Sequence, residues 1–414
     1  MNGTRTLVAS LVALALTPPT RAASDAEELG QLKDQLNALL NRIEQLEAKT
    51  AQAEARAEAA ETRAAATAPA SRSVTSGNDS IRLSLSGHVN RALLYADDGR
   101  DGDLYHVDND ASSTRVRFIG EGDVGNELTV GTAIELQLES NSTADVNQEN
   151  ESVSGDTISE RRLEIYFDHQ RYGKLWLGQG WTASEDSSEM DLSGTVLAGY
   201  SSTGDIAGGI RFRDSDGNLL ESSPDKKSTV GDTFINLDGL GRRDRLRYDT
   251  PSFAGLTWSV GTVENDAWDT ALKYSTEYDF FTLATALAYS NQKDNDGQVN
   301  GSVSALLDNG FNLTLAAGRR ELDTTEDPRF YYGKLGYRQH WFRFGETALS
   351  LDYHRTEHAE LSGDKGRSYG LQAVQNIDRW ATEAYLGYRN YDLSRPGVST
   401  EDIDALLMGA RIKF

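Results

Sequence analysis

The fold is decided by residues 113–140, which read STRVRFIGEGDVGNELTVGTAIELQLES. In the second half of this stretch, apolar Leu136 and Leu138 flank polar Gln137, and the same alternation extends back through most of that half. Successive side chains of a strand point to opposite faces of a sheet, so a period of two predicts a strand with one apolar and one polar face. A short connection at residues 121–126 leads back to a similar segment. The stretch therefore predicts two antiparallel strands.

The same period of two recurs about sixteen times from residue 81 to the C-terminus. Most of these segments have the length of a tilted transmembrane strand. The predicted strands begin near residues 81, 114, 127, 161, 174, 243, 255, 268, 280, 298, 311, 330, 346, 367, 380 and 403.

The connections between these segments alternate between short and long. Short ones include residues 169–173 and 308–310, whereas residues 140–159 and 181–242 form long ones. Short turns at one end and long loops at the other are typical of outer-membrane barrels. We therefore predict an all-β transmembrane barrel of about 16 antiparallel strands, with a soluble β-sandwich as the alternative.

The composition limits the function classes. The chain has no cysteine, which excludes thiol catalysis, zinc fingers and Fe–S clusters. A formal net charge of −23 disfavours nucleic acid as a partner. The mean hydropathy of −0.53 does not decide the class, because a barrel that alternates lipid-facing and water-facing residues has a similar average. The six histidines show no metal-ligand spacing and no serine lies in a glycine elbow, so we predict no enzyme.

The first 22 residues have the order of a secretory signal peptide. Arg5 supplies a positive charge, the apolar stretch 7–16 follows, and a small-residue site lies near Ala22. The apolar stretch is too short to cross a bilayer as a helix. We expect residues 1–22 to be cleaved after export through the inner membrane.

Residues 23–66 carry the spacing of a coiled coil. Apolar residues spaced by three and four form the a/d seam of a coiled coil, whose number of helices the sequence leaves open, namely Leu29, Leu32, Leu36, Leu39, Ile43 and Leu46. Basic g positions would meet acidic e positions of a parallel neighbour, which favours oligomerisation. A single helix with solvated charged faces is the alternative. Residues 67–80 are rich in Ser, Thr and Gly and are predicted to link this segment to a barrel at 81–414.

From residue 81 onward the sequence resembles the Gram-negative trimeric general porins, especially those of α-proteobacteria. The resemblance is carried by SLSGHVNRALLYADD (84–98), the stretch 113–140 quoted above, RRLEIYFDHQRYGKLWLGQG (161–180), DRLRYDTPSFAGLTWSVG (244–261) and the final ALLMGARIKF. The terminal Phe414 looks like the family's signal to the barrel-assembly machinery. The resemblance implies a sixteen-stranded homotrimeric barrel in the outer membrane, whose third loop folds inward and narrows the pore.

Candidate residues of the pore constriction come from the barrel wall and from the long connection 181–242. Arg115 and Arg162 match the family's wall arginines, and alternation turns Arg117, Arg245 and Arg247 inward. The acidic residues at the start of the connection are Glu185, Asp186, Glu189 and Asp191.

Such acids would face the arginines across the lumen. Charged groups act at short range in a narrow, water-filled neck, where screening is incomplete. Acids opposite bases would create a transverse field that polar solutes pass by reorienting. The alternative for each arginine is a hydrogen bond to a neighbouring carboxylate that only braces the wall.

We therefore predict a water-filled channel for passive diffusion of ions and small hydrophilic solutes, with a mild cation preference. Its expected surroundings are outer-membrane lipid and lipopolysaccharide, and no cofactor is expected. Two alternatives remain: a substrate-selective channel for dicarboxylates or sugars, and an envelope-tethering structural protein that acts through the coiled coil. The predicted external loop 97–110 is dense in carboxylates and could bind Ca²⁺, with a solvated acidic loop as the alternative.

Overall fold

The structure is a computed structural model, and it describes residues 77–153, 158–264, 266–292, 295–323 and 325–414. The predicted signal peptide (1–22) and coiled coil (23–66) lie outside the described residues and stay predictions. Residues 73–414 form one compact unit. Within the described ranges, no helix is both long enough and apolar enough to cross a membrane.

Nearly all regular structure in the described ranges is antiparallel β-strand. Seventeen strands form one sheet, and β7 and β8 form a separate small hairpin. The strands are β1 (Arg82–Asp97), β2 (Gly102–Asp108), β3 (Arg115–Val124), β4 (Leu128–Leu138), β5 (Ile158–His169), β6 (Gly173–Trp181), β7 (Glu221–Ser223), β8 (Lys226–Lys227), β9 (Arg242–Asp249), β10 (Leu256–Val263), β11 (Trp268–Glu277), β12 (Phe281–Gln292), β13 (Asn295–Leu307), β14 (Phe311–Glu321), β15 (Arg329–Phe342), β16 (Gly345–Glu357), β17 (Lys365–Ile377), β18 (Thr382–Ser394) and β19 (Ile403–Lys413).

The large sheet closes on itself as a barrel with sixteen strand positions. β2 and β3 pair with successive halves of β1, so together they fill one position. The other edge of β1 pairs with β19, from His88↔Lys413 to Asp97↔Asp404. Gly87 and Phe414 complete the seam with two reciprocal backbone hydrogen bonds of 3.0 Å. Closure leaves no edge strand with unpaired N–H and C=O groups, a requirement for sheets that span a membrane.

The two faces of the wall differ in polarity. On β5, Leu163 and Ile165 are exposed on the outside, whereas Glu164 and Tyr166 are buried on the inside. This arrangement is the reverse of a soluble fold and gives the barrel an apolar outer belt. Tyr95 and Trp258 belong to the exposed aromatic residues of that belt. Closure and an apolar exterior together exclude the soluble β-sandwich.

The predicted strands agree closely with the observed ones. All sixteen are present, and each begins within three residues of the predicted start. The predicted extent of the external loop, residues 97–110, is wrong, because half of these residues form β2. Its carboxylates mask a short alternation in which Tyr105 and Val107 are buried while Leu104 is exposed. The chain reverses in a tight turn at 98–101, where Asp98 Oδ1 accepts hydrogen bonds from the backbone of Arg100 and Asp101.

Residues 182–241, which we call the inserted segment, fold into the barrel as the resemblance implied. They contain the β7–β8 hairpin, a short 3-10 helix (Thr203–Ile206) and one short α-helix, α1 (Val230–Thr233). Ile206, Phe212 and Phe234 of this segment are fully buried in a hydrophobic cluster with inward residues of β1, β2 and β17–β19. The lumen beside those strands is therefore filled by protein.

Candidate functional site

Glu135 gathers three arginines on the inner face of β3, β4 and β5. The sheet register places Glu135 opposite Arg117 on β3. Arg117 Nε lies 2.5 Å from Glu135 Oε2, and Arg161 Nε lies 2.9 Å from Oε1. Arg115 Nη1 is 3.6 Å from the same Oε1. Because one buried carboxylate holds three guanidiniums, the group keeps a positive charge.

Arg161 reaches this group through a β-bulge. Glu135 pairs with Arg162 across β4 and β5, whereas the next residue, Leu136, pairs with Glu160. The shift inserts Arg161 as an extra residue, and a bulge re-aims the side chain it carries. Sequence analysis selected Arg162 from its match to the family's wall arginines, and strict alternation would then turn its neighbour Arg161 to the opposite face. The Arg-Arg dipeptide at the start of a strand was the available signal.

A second carboxylate, Glu164, binds two further arginines on the inner face of β5 and β9. Arg162 Nε lies 2.5 Å from Glu164 Oε1, and Arg245 forms an ion pair with the other oxygen of the same carboxylate. Further along, Arg247 Nε donates to Asp249 Oδ1 over 2.8 Å. All five arginines proposed from the sequence thus lie on one stretch of wall, and each also contacts a wall carboxylate. The contacts therefore show the bracing role for these side chains, and their role in the channel stays a prediction.

One more arginine, at the start of β9, belongs to this stretch. The guanidinium carbon of Arg242 lies 3.9 Å from the centre of the Trp181 ring, and that of Arg161 lies 5.8 Å from it. A ring face attracts cations without neutralising them. We call the set the arginine wall, and its members are Arg115, Arg117, Arg161, Arg162, Arg242, Arg245 and Arg247. The arginine wall contains seven guanidiniums, and three carboxylates pair with them, namely Glu135, Glu164 and Asp249. The wall therefore carries an excess of positive charge.

The inserted segment is fixed to the barrel wall by hydroxyl groups. Ser302 Oγ accepts a hydrogen bond of 2.9 Å from the backbone of Met190, and Ser304 Oγ accepts one of 2.9 Å from Leu192. Arg338 Nη1 on β15 donates to Leu192 O over 3.0 Å. The segment therefore runs along the inner side of β13 and β15 from residue 190 onward.

Asp191 was expected to border the pore, but it lies buried against the barrel wall. Its carboxylate lies 2.7 Å from Lys334 Nζ, and both side chains are almost completely buried. Lys334 Nζ also donates to Ser193 Oγ, Thr195 Oγ1 and Gly199 O, at 3.1, 3.0 and 2.7 Å. Asp191 is therefore an attachment point of the inserted segment and not a constriction residue.

The other three predicted acids gather around Asp238, a residue that sequence analysis did not select. Asp238 accepts backbone hydrogen bonds from Asp186 over 2.7 Å and from Ser188 over 2.6 Å. Glu189 Oε1 accepts one of 2.7 Å from Asn236 Nδ2. We call Glu185, Asp186, Glu189 and Asp238 the acidic turn. Two distant ends of the inserted segment form it, so residue spacing gave no signal for Asp238.

The acids of this turn hold their protons more tightly than ordinary carboxyls. Burial raises the pKa of Glu185 and Glu189 well above the usual value, and Asp238 and Asp186 raise both further. Burial also raises the pKa of Asp238 to about 6 and that of nearby Asp205 to about 7. The charge of the acidic turn therefore changes around neutral pH.

The acidic turn faces positive charge from the barrel wall. Arg242 and Lys273 both lower the pKa of Glu185, although by less than burial raises it. Lys273 Nζ donates to the backbone oxygen of Glu185 over 2.6 Å. Opposite charges thus meet where the inserted segment begins and ends, so polar solutes there would experience a strong local field.

Three carboxylates of the turn could jointly ligate a cation. Oxygens of Glu185, Asp186 and Asp238 lie within 4.8 Å of one another. Hard cations such as Ca²⁺ take oxygen ligands of this kind. This grouping, found among the described residues, is separate from the external segment 97–110, where the possible Ca²⁺ site remains a prediction.

Comparisons with known proteins agree with this geometry. The sequence matches the Gram-negative porin family over residues 57–396. Among solved structures, an anion-selective porin from Comamonas acidovorans has a TM-score of 0.54 at 15% identity, covering 81% of this chain and 100% of that one. OmpT, an outer membrane protein of Vibrio cholerae, has a TM-score of 0.53 at 12% identity, covering 83% and 100%. At these identities the likeness shows the fold alone. None of the curated proteins compared with the chain matches it.

Proposed function

Because the chain belongs to the Gram-negative porin family and is a channel of the outer membrane, we propose that ions and small hydrophilic solutes diffuse passively through it, past the arginine wall and the acidic turn. The family and the fold point to a channel rather than an enzyme. The observation that carries the proposal is that the inserted segment brings the carboxyls of the acidic turn close to a wall whose guanidiniums outnumber its carboxylates. Charged groups that line a narrow aqueous pore control which solutes pass.

A mild cation preference is the expected selectivity. The acidic turn and Asp205 contribute five carboxyls. Among the residues that the structure describes, Lys273 is the one wall cation that donates a hydrogen bond to the turn, through a backbone oxygen. The arginine wall, in contrast, is partly neutralised by Glu135, Glu164 and Asp249. At 15% identity, the ion selectivity of the anion-selective porin says nothing about the selectivity of this chain. The expected cation preference rests on the charged residues named above.

Reversal potentials in planar bilayers under a KCl gradient test this proposal. The triple variant Glu185→Gln, Asp186→Asn, Glu189→Gln should shift the preference toward chloride, because it removes carboxyls from the lumen. The matched control is Asp214→Asn, which removes a carboxylate of the inserted segment that does not belong to the acidic turn. An unchanged reversal potential in the triple variant would place the selectivity region elsewhere.

A carboxylate-selective channel is the second candidate, and one observation favours it. Lys174 Nζ lies 4.0 Å from the Tyr166 ring centre and 4.1 Å from the Trp176 ring centre, at the end of the arginine wall. Cations interleaved with rings suit solutes that combine a carboxylate with an apolar body. Saturable block of the KCl current by millimolar benzoate, but not by gluconate, would support this candidate over general diffusion.

We further propose a homotrimer, inserted by the barrel-assembly machinery and surrounded by lipopolysaccharide. OmpT of Vibrio cholerae has a trimer form. In this chain, Arg91 points outward from β1 and forms a 3.5 Å ion pair with Asp108. A charged pair on the outer face is costly against lipid and suits a subunit contact. We also propose that residues 1–22 are a signal peptide for export. The coiled coil at residues 23–66 would form an additional contact between the subunits of the trimer.

A further inference from the structure

A cavity of about 770 Å³ lies between the inserted segment and the inner face of β14. Its volume is within the range of small-molecule binding sites. Arg320, one residue before the end of β14, lines it from the barrel wall, and Glu360 lines it from the connection 358–364. The short turn 308–310 lies at the other end of β14. The cavity therefore lies at the external side of the lumen, where the longer connections are.

Arg320 is the guanidinium that the barrel wall contributes to this cavity. Its Nε donates to Gln298 Oε1 over 2.9 Å, and Gln298 Nε2 donates to Leu237 O over 2.7 Å. Gln298 thus holds the guanidinium and the inserted segment in one network. Among the side chains that the structure describes, no carboxylate forms an ion pair with Arg320. Its two terminal nitrogens therefore offer a fork that matches a planar carboxylate.

Lys226, the other cation among the described residues that line the cavity, is already neutralised. Its Nζ lies 3.0 Å from Asp232 Oδ1 and 3.6 Å from Glu360 Oε1. Glu360 also forms an ion pair of 3.0 Å with Arg395. These charges hold the inserted segment against the connection 358–364, so they contribute little net attraction for a solute.

Two carboxyls of the inserted segment, Asp205 and Asp238, line the same cavity. Asp205 accepts hydrogen bonds from the hydroxyl groups of Tyr200 and Ser202, and Asp238 accepts its hydrogen bonds from the backbone of the acidic turn. Within the described ranges neither forms an ion pair, although Lys273 lowers the pKa of Asp238 from a distance. The cavity therefore presents a guanidinium on the barrel wall and carboxyls on the inserted segment.

We propose that this cavity binds a small zwitterion of the amino-acid type, with the carboxylate of the solute on Arg320 and its ammonium group on Asp238. A lone anion would be repelled by the acids of the inserted segment, and a lone cation by the guanidinium. A zwitterion satisfies both charges. Half-buried Ile235 and Ala359 also line the cavity and would contact an apolar side chain of the solute. The inference rests on the proposed function, since a solute reaches the cavity through an open lumen.

Leucine is the probe, because it combines both charges with an apolar side chain. Saturation-transfer difference NMR of the full-length protein in detergent micelles should give a saturable leucine signal. Arg320→Gln removes the fork for the carboxylate, and Asp238→Asn removes the partner of the ammonium group. Each variant should bind leucine about tenfold more weakly, because it loses one charge-assisted contact.

Two variants serve as matched controls and should bind leucine as the wild type does. Arg319→Gln removes the neighbouring guanidinium of β14, which is half-exposed and paired with Asp327. Asp214→Asn removes a carboxylate of the inserted segment that lies outside the cavity. Unchanged leucine affinity in both Arg320→Gln and Asp238→Asn would overturn the proposal.

Analogues of leucine separate a zwitterion site from a simple ion site. 4-Methylpentanoate lacks the ammonium group and 3-methylbutylamine lacks the carboxylate, so each should bind about tenfold more weakly than leucine. If 4-methylpentanoate bound as tightly as leucine, the cavity would be an anion site. If 3-methylbutylamine did so, it would be a cation site. Either result would contradict the zwitterion proposal.

The KCl current of the wild-type protein in planar bilayers is measured in parallel. A channel that conducts but gives no saturable leucine signal would contradict this inference and leave the proposed function intact. A protein that binds leucine with the expected dependence on Arg320 and Asp238 but carries no current would contradict the proposed function instead. The two failures are therefore distinguishable.

Discussion

Among single side chains, Lys334 does most to fix the path of the inserted segment. Its ammonium group is completely buried and is surrounded by oxygens from Asp191 to Gly199. A buried ion pair contributes little by itself, because desolvation offsets the attraction. Removing one partner of the pair is nevertheless costly, because it leaves the other charge buried and unpaired. Lys334 therefore fixes the position of the inserted segment.

The variant Lys334→Met tests this role. It leaves Asp191 buried without its partner, at a cost of about 3–5 kcal/mol. We expect the segment to detach locally, with a larger and noisier single-channel current. The double variant Asp191→Leu, Lys334→Met removes both charges and should restore a quiet channel. An unchanged current in Lys334→Met would mean that the hydroxyl contacts alone hold the segment.

The acidic turn makes selectivity depend on pH. A carboxyl with a raised pKa stays protonated until the pH rises through that pKa. The pKa is about 6 for Asp238 and about 7 for Asp205. The cation preference should therefore increase between roughly pH 5 and pH 8, measured as the zero-current potential in a KCl gradient.

Two variants separate this effect from general surface charge. Asp238→Asn combined with Asp205→Asn should flatten the pH curve, because the pKa values of these two carboxyls lie within this range. Asp214→Asn should not change its slope, because hydrogen bonds from Asn218 keep the pKa of this fully exposed carboxyl below its usual value. A curve that Asp214→Asn alters as much as the double variant would contradict the assignment.

Among the elements, the strands are predictable from sequence, whereas the inserted segment and the bulge are not. Each strand carries its own alternation, because every second residue faces lipid. The place of residues 190–192 instead depends on Ser302 and Ser304, 112 residues away in the chain. Arg161 and Asp238 were missed for the same reason, since their positions follow from register and from long-range contacts. Alternation sufficed to place Arg117, Arg245 and Arg247, whereas Arg115 and Arg162 were proposed from the resemblance to the porin family.

The hydrophobic cluster inside the barrel should stabilise the inserted segment. Phe234 is fully buried, and its ring lies 5.1 Å from that of Tyr391 and 5.8 Å from that of His354. Phe234→Ala should cost about 3–5 kcal/mol locally, and limited proteolysis should then cut the segment faster while the barrel stays folded. Phe253→Ala is the control, because Phe253 is 82% exposed in a turn. Equal cleavage of both variants would show that the cluster does not hold the segment.

For the whole molecule, the barrel depends on the seam between its first and last strands. A Cβ atom on Gly87 would lie 2.5 Å from the backbone oxygen of Arg115 and 2.8 Å from the ring of Phe414. The seam therefore needs glycine at this position and lets the terminal ring pack closely. Closure then forces every strand to present one face to lipid and the other to the lumen.

That alternation can be measured directly, because the chain has no cysteine of its own. Single cysteines at Lys174, Leu175, Trp176 and Leu177 sample four consecutive positions of β6, with the two leucines exposed on the outside. In lipid vesicles, a charged, membrane-impermeant thiol reagent should label positions 174 and 176 and spare 175 and 177. Equal labelling of all four cysteines, or labelling of 175 and 177 instead, would contradict a lumen enclosed by a membrane-spanning sheet.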